Sequence, residues 1–581
     1  MTMLQNSLAP ARYAIVPDDK AGGVTYTPKV LADFVASKIL ETFNDFPVDR
    51  PLRVLDPAIG DGELLISLLG QLGDREGVKI EVYGFETNQK AINIASARIK
   101  QRYPAVEVHF EKENFLEFVL ESFGTDNNLS LFRSNVPECY DLIIANPPYV
   151  RTQILGASQT QTLASQFGLS GRVDLYYAFL LGMARVLKPY GSAGIIVSNR
   201  FMTTRSGAPV RQAILERFNL CQIWDFGDTK LFDAAVLPAV LLAKGKNGSK
   251  SDIPGFTSIY ETRQSPEAEA STPITALLHN GVVKIDDGRH FCVQHGKLTI
   301  DDIPDGVWRI ATNKSDSWLA TVKRNTWGTF GDIGKIRVGV KTCADKVFIR
   351  SDWADMPEDK RPELLRPLIT HHVARRFKAL NSANSPKILY PHEVRRGQRC
   401  TVDLSLYPQS KDYLTQHRTN LAGRKYVIEA NREWYELWVP QDPAAWEQPK
   451  LVFRDIAKEP TFWIDQDGSV VNGDCYWIIC RNPAKTDLLW LAAAVANSRF
   501  IERFYDTQFH NKLYAGRRRF ITQYVEKFPL PDPDSAISKE IIDKTKKIFA
   551  DIDSLNSATL QEELERMVWK AFGLTVEKVS G

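Results

Sequence analysis

The sequence predicts an α/β fold built on a mostly parallel sheet, followed by a mixed α+β region and a helical tail. Two observations carry the first part. Short apolar, β-branched runs alternate with amphipathic helical patterns from about residue 29 to 245. The runs are continuous rather than alternating, as in strands covered on both faces. A third observation marks where this regime ends: residues 246–272 (KNGSKSDIPGFTSIYETRQSPEAEAST) are polar and rich in Gly, Ser, Pro and Glu.

The predicted strands are RVLDPA, KIEVYGFE, VEVHF, YDLIIA, AGIIVSN, CQIWDFG and AVLLAKG. Between them KVLADFVASKIL, LLISLLGQL, QKAINIASARIK, DLYYAFLLGMARVL and PVRQAILERF repeat apolar residues at helical spacing. The polar stretch is read as a connection with one short strand at TSIY, which places a domain boundary near 270. Residues 271–534 lose the βα alternation and become aromatic-rich and irregular, as expected of a recognition domain. Residues 535–581 return to helical spacing, as a packing tail. A chain of 581 residues exceeds what one hydrophobic core supports, which agrees with this division.

Composition narrows the function classes. Hydrophobic residues at 44% and charged ones at 25% describe an ordinary folded protein. No apolar run reaches about 18 residues and the first residues lack the zones of a signal peptide, so a cytoplasmic protein without a membrane partner is expected. Seven cysteines stand singly, with no C-x-x-C pair and no histidine cluster, so neither disulfides nor a metal site is expected. The net charge of +3 identifies no polyanionic partner, and any nucleic-acid surface must be a local patch.

The chemistry gathers where strands end, because open parallel sheets bind ligands beyond the carboxyl ends of their strands. VLDPAIGDGELL ends a strand at Asp56 and turns through Gly60 and Gly62, a short glycine turn beside a carboxylate. Its spacing is not that of a dinucleotide fingerprint, and the carboxylate suits a ligand carrying positive charge. The next strand ends at Glu86, placed to accept ribose hydroxyls or to cap a helix. Asn114 and Phe115 end a third. The fourth, IIANPPYV, delivers Asn146, Pro147, Pro148 and Tyr149 at its mouth. Proline fixes φ, so an amide and a backbone carbonyl there are held as two acceptors beside a ring.

With these motifs the first 245 residues or so resemble the S-adenosylmethionine-dependent N6-adenine DNA methyltransferases whose signature is N-P-P-Y, of the gamma class. The resemblance implies a Rossmann-like methyltransferase domain and a role for each matching residue. Thr27 lies in the motif that cradles the methionine part of S-adenosylmethionine. Asp56, Ala58, Gly60 and Gly62 form the first sheet motif, with the acid near the methionine amino group. Glu86 is the ribose acid and Thr87 lies beside the cofactor adenine. Asn114 and Phe115 stand where the family carries D-F or D-P, a departure that puts the role of Asn114 in doubt. Asn146, Pro147, Pro148 and Tyr149 are the catalytic set, and Phe232 is the aromatic facing the flipped base opposite Tyr149.

The exocyclic amine of adenine is a poor nucleophile because its lone pair is delocalised. Two acceptors, the Asn146 side-chain oxygen and the Pro147 carbonyl, would draw it towards tetrahedral geometry, and Tyr149 would steady the unstacked base.

The region from GKIRVGVKTCADKVFI to FHNKLYAGRRRF resembles the target-recognition domain of the same class, with Lys512, Arg517, Arg518 and Arg519 as DNA-binding candidates. The reading implied is a site-specific DNA adenine-N6 methyltransferase of a restriction-modification system acting on double-stranded DNA. A monomer is expected, with a separate cognate endonuclease and no stable complex with it. The alternatives are an RNA or protein-glutamine methyltransferase and an inactive DNA-binding defence subunit.

Overall fold

A computed structural model of the chain describes residues 27–73, 78–123, 140–149, 165–169, 174–232, 237–246, 252–300, 306–380, 385–509, 512–513 and 517–576. They form two compact units, Met1–Thr312 and Asn313–Val579.

The first unit is built on β1 (Leu52–Asp56), β2 (Ile80–Phe85), β3 (Glu107–Glu111), β4 (Tyr140–Ala145), β5 (Leu187–Ser198), β6 (Phe218–Asp225) and β7 (Pro238–Gly245). They stand in the order β3-β2-β1-β4-β5-β7-β6. Strands β1 to β5 pair in parallel, and β7 runs antiparallel to both β5 and β6.

Among the described residues the two faces are covered by α1 (Lys29–Thr42), α2 (Glu63–Leu72), α3 (Gln89–Arg102), α4 (Phe115–Phe123), α5 (Leu175–Val186) and α6 (Ala208–Arg217). The β4 run YDLIIA shows why its apolar residues are unbroken. Leu142 and Ile144 join the cluster under α1, α2 and α3, while Ile143 and Ala145 join the cluster under α4, α5 and α6. Alternate side chains enter opposite cores and all six residues are buried.

The sheet does not stop at β7. Strands β8 (Gly255–Thr262), β9 (Ala268–Ala270), β10 (Gly281–Ile285), β11 (His290–Ile300) and β12 (Trp308–Ala311) bring it to twelve strands, in the order β6-β8-β11-β10-β9 with β12 on β11. The boundary expected near 270 therefore falls inside the sheet, and the compact unit runs on to Thr312. The physical reason is visible in β11, HFCVQHGKLTI, which interleaves polar and apolar residues in antiparallel pairing and so lacks a continuous apolar run.

In the second unit β13 (Arg337–Val338), β14 (Phe377–Lys378), β15 (Lys450–Arg454), β17 (Phe462–Asp465) and β18 (Cys475–Ile478) form a sheet ordered β13-β18-β15-β17-β14. A smaller sheet sets β20 (Arg517–Arg519) between β16 (Ile456–Ala457) and β19 (Lys512–Leu513). Helices α7 (Asp487–Ala496), α8 (Arg499–Phe509), α9 (Ala536–Ala550) and α10 (Ser557–Ala571) share one core with these strands. Ile541, Ile548, Val568 and Phe572 are fully buried in it, so residues 535–576 belong to this unit's core. No described helix is long and apolar enough to cross a membrane.

Candidate active site

Strand register lines up the predicted site residues. Asp56 pairs with Gly84 across β1 and β2, Phe85 pairs with Glu111 across β2 and β3, and Leu55 pairs with Ile143 across β1 and β4. Asp56, Glu86, Asn114 and Asn146 therefore emerge at one edge, where the chain order reverses between β1 and β4.

Asp56 is fully buried. Its Oδ1 accepts from the Ala58 backbone N–H at 3.0 Å, while its Oδ2 has no protein partner. Burial pushes the carboxyl up to about 7, against the Ala58 hydrogen bond, with the Glu86 and Asp61 charges adding to the rise. A buried acceptor left open in this way fits a ligand that brings a cation. The two glycines serve different needs. Gly62 has φ +82°, and a Cβ there would stand 3.0 Å from the Ala95 Cβ of α3; Gly60 has φ +54° and faces open space. Gly62 is thus required by helix packing, and Gly60 leaves room beside the carboxylates.

Glu86 is half-buried. Its Oε2 accepts from Gly60 N at 3.3 Å and its Oε1 from Asn88 N at 2.9 Å, which ties the β1 and β2 turns together. Each oxygen keeps a lone pair for a hydroxyl. Thr87 is exposed beside it. Asn114 caps α4, its Oδ1 accepting from Leu116 N at 3.0 Å. Phe115 is buried between Phe85 and Phe179, with ring centroids at 5.6 Å from each, so its ring belongs to the core.

The β4 terminus is held from two directions. Asn146 Nδ2 donates to Thr27 Oγ1 at 3.0 Å, and its Oδ1 accepts from the Tyr149 hydroxyl at 2.8 Å. Pro147 is buried, while Pro148 and Tyr149 are partly exposed. The Tyr149 ring meets Tyr176 edge-on at 5.9 Å, and the Tyr176 hydroxyl donates to the Ser198 carbonyl at 3.3 Å.

Beyond Ser198 lies a buried network that sequence reasoning missed. Asn199 Nδ2 donates to Asp225 Oδ1 at 2.9 Å, Gly227 N to the same oxygen at 3.0 Å, and the Tyr260 hydroxyl to Asp225 Oδ2 at 2.6 Å. Burial raises the Asp225 carboxyl to about 6 against these three donors. Polar residues ending two apolar runs, in IIVSN and IWDFG, were the available signal; their partner Tyr260 comes from a stretch that reads as a linker.

Other predicted residues fall elsewhere. Phe232 is buried in the cluster with Trp224 and Phe226, and Tyr149 packs against the neighbouring cluster. Arg518 is engaged by Asp506 through two contacts at 2.7 and 2.8 Å and lies 3.7 Å from Glu502. Arg519 pairs with Asp455 at 3.1 Å. Arg518 and Arg519 are thus paired within their own fold, Arg519 and Arg517 are both exposed, and the Lys512 side chain lies outside the described residues.

The fold and the strand-end row define a Rossmann-like methyltransferase carrying a second, mixed α+β unit. Residues 74–232 match the family model of the Eco57I restriction-modification methylase, and residues 380–530 match the TaqI-like C-terminal specificity domain. The chain is 37% identical to the type II methyltransferase M.BanIII of Aneurinibacillus aneurinilyticus, covering 96% of this chain and 97% of that protein. It is 24% identical to the type II methyltransferase M.PaeR7I of Pseudomonas aeruginosa, over 97% of this chain and 93% of the relative. Among solved structures, the type IIL restriction-modification enzyme MmeI in complex with DNA shares the fold at a TM-score of 0.61, with 14% identity over 98% of this chain and 79% of that one. The chain belongs to the type II methyltransferases, the site-specific DNA methyltransferases of restriction-modification systems.

Proposed function

We propose that the protein methylates N6 of an adenine turned out of duplex DNA, with S-adenosylmethionine as methyl donor. The observation that carries this reading is Asn146-Pro147-Pro148-Tyr149 at the end of β4, in register with the open Asp56 carboxylate and with Glu86. When bound, S-adenosylmethionine supplies an electrophilic methyl group. Asp56 Oδ2 would hold its ammonium, Glu86 its ribose hydroxyls, and Thr87 and Gly60 would border it.

The chain's own work is to position a weak nucleophile. The Asn146 side-chain oxygen and the Pro147 carbonyl take the two N6 hydrogens, which localises the nitrogen lone pair. The Tyr149 hydroxyl, now on Asn146 Oδ1, shares or yields that oxygen when the base arrives. The Tyr149 ring, braced by Tyr176, offers a face for stacking. Positioning and exclusion of water supply the acceleration.

We further propose that the protein acts in the cytoplasm as a monomer and shares its recognition sequence with a separate endonuclease. Incubation with labelled S-adenosylmethionine and plasmid DNA, RNA or protein tests the central claim. Label should enter DNA and be recovered as N6-methyladenine; label in RNA or protein alone, or in no acceptor, overturns it.

A further inference from the structure

The second unit contains a cavity of about 640 Å³ whose lining includes His371, Arg454, Asp455, Lys458, Glu459 and Arg517. The lining carries three cations and three carboxylates, and the two sets differ in how they are paired. Among the carboxylates, Asp455 is paired with Arg519 at 3.1 Å and Glu459 with Arg376 at 3.0 Å. Asp474, also in the lining, is bound by the His371 ring through one oxygen. Each acid thus has a partner on at least one oxygen, while the buried Asp474 Oδ1 has none. Among the described residues, no carboxylate lies within ion-pair distance of Arg454, Lys458 or Arg517; Arg454 spends only its Nε, on the Ile456 carbonyl at 3.1 Å. Lys458 and Arg517 are exposed.

We infer that this cavity binds the phosphodiester backbone of the DNA, with Arg454, Lys458 and Arg517 as the phosphate contacts. The inference rests on duplex DNA being the substrate. Such cations can hold phosphates, and Arg can also pair with guanine in the major groove; the two roles differ in their dependence on sequence. Three cations without a carboxylate partner among the described residues stand around one cavity, which suits an anion. The ammonium of Lys458 is a point charge suited to a phosphate, and the two guanidinium forks can each span two phosphate oxygens. The neighbouring Arg518 and Arg519 sharpen the contrast: within one short strand, two arginines hold the fold and the third faces the cavity.

The test compares the full-length protein with Arg454→Gln, Lys458→Gln, Arg517→Gln and their combination, with Lys360→Gln as an exposed control outside the cavity. Binding to fluorescent duplexes is followed over a salt series, using one duplex that the wild type methylates and one mixed-sequence duplex that it does not. Each cavity variant should weaken both duplexes by the same factor and lower the log–log salt slope by about 0.9. A slope unchanged in the triple variant overturns the assignment. So does a loss confined to the methylated duplex, which would mean base reading. An unfolding midpoint equal to the wild type's confirms that each variant folds; should the triple variant fail to fold, the single variants decide. Wild-type protein that methylates no duplex would instead sink the proposed function and leave the cavity as a site for some other polyanion.

Discussion

The Thr27 hydroxyl accepts the Asn146 Nδ2–H at 3.0 Å, and this bond decides which way round the amide stands. With nitrogen turned to Thr27, the amide oxygen faces the Tyr149 hydroxyl, which must share or yield it to an incoming amine. Thr27, expected to cradle the cofactor, therefore also orients the amide proposed to act in catalysis. Thr27→Val should lower kcat about fivefold to tenfold, the worth of one hydrogen bond of about 1 kcal/mol, with cofactor affinity nearly unchanged. Thr27→Ser should restore the rate. A Val variant that raises the KM for S-adenosylmethionine and spares kcat would return Thr27 to a purely cofactor-binding role.

Asn146→Ala removes one of the two acceptors. Loss of a preorganised hydrogen-bonding group at a reacting centre costs about 100-fold or more in rate, so methyl transfer should fall by at least that factor. DNA affinity should persist, since the second unit is untouched. Single-turnover transfer and binding to a labelled duplex separate the two effects, and a variant retaining its rate would remove Asn146 from catalysis.

Asp56 makes cofactor affinity depend on pH. Burial raises its carboxyl to about 7 in the protein alone, and a ligand ammonium favours the charged form. Below about pH 7 binding must expel a proton, so affinity should fall by close to tenfold per pH unit on acidification and level off above. For stability the direction is opposite. The folded carboxyl keeps its proton up to about 7 while the unfolded one releases it near 3.8, so this group's contribution declines as pH rises between those values. Asp56→Asn should flatten both profiles, measured by calorimetric titration and by unfolding midpoints across pH.

Arg518 should behave as a structural residue. Its side chain is 11% exposed and holds Asp506 and Glu502. Removing Arg518 leaves two half-buried carboxylates uncompensated and costs about 1–3 kcal/mol. Arg518→Ala should accordingly lower the unfolding midpoint by several degrees, and Arg517→Ala should leave it in place.

What was legible in the sequence follows from locality. Asp56, Glu86 and Asn146 each terminate an apolar run, so a single strand with its turn identifies them, and their common edge follows from parallel register. The Thr27–Asn146 bond spans 119 residues and the Arg519–Asp455 pair 64, and no local pattern reports such contacts. For that reason three consecutive arginines looked alike in the sequence and divide into different roles in the fold. Of β8 only the short strand at TSIY was legible, and β9 to β12 escaped for another reason: largely antiparallel pairing lets polar residues intervene, which imitates a linker.

That extension of the sheet bears on how such enzymes could exchange specificities. β8 and β11 pair over eight residues, from Gly255↔Lys297 to Thr262↔His290. A chimera joined near 270 would pair a resident β8 with a foreign β11 or leave β8 as a bare edge, which invites aggregation. A junction at Thr312–Asn313 leaves every strand of the first sheet with its native neighbour. Recombination that trades one recognition module for another should therefore survive at the second joint and fail at the first.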